Sequence, residues 1–100
     1  MKELPSSIGE LKNLIAIQIN NAGIETIPKE IGNLTNLVEL NLTNNKIQSL
    51  PLEIGKLQNL QYLSLDNNQL KSLPSEIRNM KNLISILIEN NQLKNLPFEI

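Results

Sequence analysis

The sequence predicts an α/β solenoid, one coil of repeated units with short parallel strands on its inner face and short helical or 3-10 turns outside. Three observations predict it. Leu4, Ile27, Leu50, Leu73 and Leu96 recur every 23 residues, and each is followed by proline: Pro5, Pro28, Pro51, Pro74 and Pro97. Between these marks the apolar pattern changes period, from spacings of three and four to strict alternation. The apolar share is 40% and nearly all Leu and Ile, with Tyr62 and Phe98 the only aromatics. A core without aromatics is filled by many similar aliphatic side chains, which suits stacked, near-identical units.

The units run 4–26, 27–49, 50–72 and 73–95, and a partial fifth spans 96–100. Neither a linker nor a shift of composition separates them, so a single domain over 1–100 is expected. In the third unit, Leu50-Pro51-Leu52-Glu53-Ile54-Gly55-Lys56-Leu57 carries the helical spacing. Proline is favoured at the first position of a helical turn, and an early Glu complements the turn's dipole. Gly55 is expected to supply a positive-φ stop. The alternation that follows, ending Tyr62-Leu63-Ser64-Leu65, marks a strand with one buried face. Its equivalents bury Ile17 and Ile19, Leu40 and Leu42, and Ile86 and Ile88. Asp66-Asn67-Asn68-Gln69 is then a polar turn, and Leu70 dips back into the core, as do Ile24, Ile47 and Leu93.

The run Leu60-Gln61-Tyr62-Leu63-Ser64-Leu65-Asp66-Asn67-Asn68-Gln69-Leu70 resembles the LxxLxLxxNxL signature of leucine-rich repeat proteins. The LPxEIGxLxNL half resembles the 23-residue subclass of plant intracellular Ras-group repeats and of many bacterial, notably spirochaetal, proteins. The resemblance covers nearly the whole chain. It implies a right-handed coil whose concave sheet binds other proteins. The identity of the partner does not follow from it, because the family binds many unrelated ones.

Asn45, Asn68 and Asn91 hold the signature's asparagine position. A primary amide offers two donors and a carbonyl acceptor, so a buried column of them can satisfy backbone groups of its own and neighbouring units. A ladder of this kind accounts for them better than a ligand site, since buried backbone groups must be paired. Two departures stand out. Ala22 replaces the asparagine in the first unit, where the ladder is expected to end. Arg78 stands where the others have Gly9, Gly32 and Gly55, and its outer turn is expected to differ in conformation.

Composition excludes several function classes. Nine basic and ten acidic residues give a net charge of −1, and the lysines form no single stripe, so bulk charge recruits neither nucleic acid nor an anionic membrane. There is no Cys and no His, which removes disulfides, thiolate chemistry and the commonest general base and metal ligand. No cofactor is implied and no apolar run reaches the length of a membrane span. Met1-Lys2-Glu3 opens without a signal peptide. The chain is therefore cytoplasmic if complete, and secreted or surface-exposed if an upstream segment has been removed.

The outward strand positions form the candidate partner-binding face. One column is Ala16, Glu39, Tyr62 and Ser85; the next is Gln18, Asn41, Ser64 and Leu87; the third is Asn20, Thr43, Asp66 and Glu89. Glu39, Asn41, Tyr62, Ser64, Asp66, Ser85, Leu87 and Glu89 are the candidate contact residues. Tyr62 is the natural anchor, since tyrosine is enriched at interface hot spots. Leu87 is expected to join Ile84 in a small apolar patch. Asp66 and Glu89 should stand one strand apart, either gripping a cation or basic partner or forming a solvated like-charge pair. Neither pocket nor nucleophile accompanies them, so no enzyme is read here.

Four such strands make a platform of about 300 Å², by strand spacing and rise, against about 800 Å² per partner for a standard interface. The sheet's edges and the two ends of the core are left uncovered, a liability that proteins usually close. Closure by a second copy of the chain or by rearranged termini is expected. The leading reading is a non-enzymatic protein-interaction module, self-associating through its ends. The alternatives are a structural, self-assembling repeat protein and a fragment of a larger bacterial effector or surface protein.

Overall fold

A computed structural model describes residues 2–94. The partial fifth unit at 96–100 lies outside the described residues. Four 3-10 turns, η1 (Ser6–Glu10), η2 (Lys29–Asn33), η3 (Leu52–Lys56) and η4 (Ser75–Asn79), alternate with four strands, β1 (Ala16–Gln18), β2 (Glu39–Asn41), β3 (Tyr62–Ser64) and β4 (Ser85–Leu87). The strands pair in parallel in the order β1-β2-β3-β4. Their register places each residue beside the one 23 positions on: Ala16 beside Glu39, Glu39 beside Tyr62, Tyr62 beside Ser85. The outer side is 3-10 throughout. The expected solenoid is the observed one.

Each outer turn is built alike. Its proline precedes the turn in extended conformation, φ −70 and ψ 149 at Pro5 and φ −68 and ψ 149 at Pro51. Proline thus sits one residue earlier than expected, where a fixed φ is wanted and its missing N–H costs no helical bond. Glu30, Glu53 and Glu76 lie in the first turns of η2, η3 and η4. After each turn the backbone N–H of Leu11, Leu34, Leu57 or Met80 donates to the carbonyl three residues back.

Two sequence expectations are corrected here. Gly55 has no positive φ; among the described residues only Gly23 and four asparagines (Asn21, Asn44, Asn67 and Asn90, φ 60 to 62) do. The repeated glycine answers to space instead. A Cβ on Gly32 would lie 2.6 Å from the Glu53 carbonyl oxygen, and one on Gly55 2.6 Å from that of Glu76. Successive outer turns therefore touch backbone to backbone. Since glycine is present for close approach and not for φ, Arg78 leaves its own turn unaltered, and η4 has the length and capping bond of the other three.

The core is a stack of columns. Ile31, Leu34, Leu37, Leu40, Leu42 and Ile47 of the second coil are fully buried, as are Ile54, Leu57, Leu60, Leu65 and Leu70 of the third. Burial in this column is lost in the first coil: Leu11 is 52% exposed where its equivalents Leu34, Leu57 and Met80 are buried. Leu83, Ile86, Ile88 and Leu93 of the fourth coil are partly buried. At about 25 cal/mol per Å² of apolar area, each interior coil's burial depends on both flanking coils.

Candidate interaction face

Asparagine amides fix the inner sheet. Asn45 Oδ1 accepts from the N–H groups of Ala22 and Ile24, each at 3.1 Å, while its Nδ2 donates to the carbonyls of Ile19 at 2.8 Å and Leu42 at 2.9 Å. Asn68 repeats this with Ile47 N–H, Leu42 O and Leu65 O. Asn91 does so with Leu70 N–H, Leu65 O and Ile88 O. Each amide thus closes the turn of the coil before its own. Among the described residues no buried side-chain polar atom lacks a partner.

A second asparagine ladder escaped the sequence reading. Asn36, Asn59 and Asn82 donate Nδ2 to the carbonyls of Lys12 (3.1 Å), Thr35 (2.7 Å) and Gln58 (2.8 Å). Its signal was the Asn-Leu pair recurring at 13–14, 36–37, 59–60 and 82–83. The ladder pins the approach to each strand as the first one pins its exit. Between them three strand residues per coil are held extended, the first and third facing outward and the middle one the core.

On this scaffold the outward columns lie in register. Ala16, Glu39, Tyr62 and Ser85 form one row and Gln18, Asn41, Ser64 and Leu87 the next. Tyr62 is 44% exposed and Leu87 47%. Ile84, just ahead of β4, is 68% exposed and lines the cleft at that end of the core with Ile77, Met80, Leu83 and Ile86; its equivalent Ile15, 62% exposed at the other end, was not singled out by sequence. Several polar groups of the face are already engaged. Gln18 Nε2 donates to Glu39 Oε2 at 3.1 Å. Asn41 Oδ1 accepts from Thr43 N–H at 3.2 Å and Oγ1 at 2.8 Å. Asp66 Oδ1 accepts the Glu89 N–H at 2.7 Å, so Asp66 holds the neighbouring backbone and Glu89 is the freer carboxylate.

The outward columns carry acids and no cations. The three outward columns contain Glu39, Asp66 and Glu89 and no Lys or Arg; the nine cations all lie elsewhere. Among the described residues no helix is long and apolar enough to cross a membrane, and no group of three or more His, Cys, Asp or Glu is placed to hold a metal.

A parallel sheet one strand thick per coil, closed by internal amides and backed by 3-10 turns, defines a repeat solenoid with one free sheet face. A leucine-rich repeat family model matches residues 35–93. The chain belongs to the leucine-rich repeat family. It is similar to a leucine-rich repeat protein of Leptospira interrogans, with 42% identity and a TM-score of 0.90 over 93% of this chain and 24% of that one. A chain of the PEPR1–AtPEP1 crystal structure is 32% identical, with a TM-score of 0.87 over 95% of this chain and 14% of that one. A plant ice-binding protein is 27% identical, with a TM-score of 0.76 over 92% of this chain and 31% of that one. The chain therefore spans less than a third of the length of each of these structures. No curated protein matches the chain.

Proposed function

We propose that the chain is a non-enzymatic protein-interaction module, a single domain that engages a protein partner through the concave sheet. The observation that carries this reading is the contrast on β3: Tyr62 stands exposed on a strand whose opposite face is closed by buried Leu63, and exposed Leu87 adjoins it on β4, where Ile86 is half-buried. Large side chains on a pre-ordered backbone lose little freedom on binding, which favours them as anchors. Membership of the leucine-rich repeat family and similarity to a chain of PEPR1–AtPEP1 support an interaction role.

Self-association through the ends is the second reading, favoured by the exposed Leu11 at one end and a cleft of about 250 Å³ lined by Ile77, Met80, Leu83 and Ile86 at the other. Regular head-to-tail stacking meets an obstacle. It would set the second copy's Ser7 backbone against Arg78, at the place where the interior coils require glycine. Light scattering across the micromolar range tests this reading, and a strictly monomeric species removes it. The interaction reading predicts that Tyr62→Ala with Leu87→Ala abolishes partner capture while the fold persists by circular dichroism. Unchanged capture by the double variant would overturn it.

A further inference from the structure

Resting on that reading, we infer that the face accepts an extended cationic peptide segment whose central apolar side chain seats over Ser64. Three features converge on this occupant. Ser64 is the small residue at the middle of the sheet, with Tyr62 two positions before it on β3 and Leu87 beside it on β4. A small side chain between two exposed large ones makes a shallow notch with apolar walls. Carboxylates flank the notch on opposite sides. Glu39 lies one strand before it at the start of β2, and Glu89 one strand beyond it, two residues past β4.

Strand spacing and rise place Glu39 and Glu89 about 16 Å apart along a diagonal whose midpoint is Ser64. An extended chain covers that span in about five residues at about 3.3 Å each. The complementary ligand therefore carries two cations about four or six positions apart, an even spacing that keeps both on the side facing the sheet, with an apolar residue on that same side between them. The absence of Lys and Arg from the three outward columns leaves nothing there to repel it. The platform of about 300 Å² also suits a short segment better than a folded domain, which needs about 800 Å² per partner.

Selection of a random twelve-residue peptide library on the intact chain tests this, followed by anisotropy titration of the enriched peptides. Enriched sequences should carry paired Lys or Arg at that spacing around a Leu, Ile, Phe or Tyr. Affinity should fall about three- to fivefold for each of Glu39→Lys and Glu89→Lys, and should weaken with added salt. Ser64→Trp should remove binding while melting stays unchanged. Peptides that bind, lose binding in the Tyr62→Ala/Leu87→Ala variant, yet show no basic bias would overturn this inference and leave the interaction reading standing. Failure to enrich any peptide would overturn it too. Peptides indifferent to every face variant would overturn both.

Discussion

The outer and inner sides of the solenoid share one backbone repeat but treat their residues in opposite ways. Outside, η1 to η3 place Gly9, Gly32 and Gly55 where the next coil leaves no room for a methyl group. Inside, the equivalent positions Ala16, Glu39, Tyr62 and Ser85 share a register and almost nothing else. Both sides are regular in geometry. Only the outer one is regular in chemistry. Residue identity is dictated where the neighbouring coil fills the space around Cβ, and it is free where solvent does. The row that fails to repeat is the one the proposed interaction would use.

That comparison can be broken most severely at the shared interior. Asn68→Ala should destabilise by about 3 kcal/mol: the Ile47 N–H is left unpaired, at about 1–3 kcal/mol, and the Leu42 and Leu65 carbonyls each lose one hydrogen bond worth about 0.5–1.5 kcal/mol while keeping those from Asn45 and Asn91. Urea denaturation measures it. Next comes Gly55→Ala, expected to cost about 1–3 kcal/mol by overpacking against the Glu76 backbone. A neutral result there would show that the coils can slide apart on the outer side.

Arg78→Gly sharpens the contrast from the other direction. Arg78 sits in η4, a turn with the length and capping bond of the other three, so the change should cost about 1 kcal/mol, the intrinsic penalty of glycine in a helical turn. Smallest of all, Tyr62→Ala with Leu87→Ala should shift stability by about 0.5 kcal/mol or less, as expected of exposed sites. A large loss of stability in that double variant would move Tyr62 from the free row to the dictated one.

The sequence was legible wherever one residue's chemistry sufficed. The 23-residue period, the buried Leu and Ile columns and the role of Asn45, Asn68 and Asn91 all follow from residue type and position. Gly55 was misread because glycine's commonest reason is its own φ, whereas here the reason sits 21 residues away at Glu76. Asn36, Asn59 and Asn82 were passed over because an exposed asparagine beside a core leucine reads as generic surface; their acceptors are carbonyls of the preceding coil. Asp66 was paired with the Glu89 side chain, but its oxygen meets the Glu89 N–H, a backbone contact that no side-chain pattern announces. The outward strand positions were readable from the alternation, while their pre-existing hydrogen bonds were not.

The amide ladder also gives the molecule a direction in time. The Ile24 N–H waits for Asn45, that of Ile47 for Asn68, and that of Leu70 for Asn91. A chain made from its amino terminus therefore never finishes a coil by itself. Each stays open until about twenty further residues have left the ribosome, and closes when the next coil delivers its asparagine.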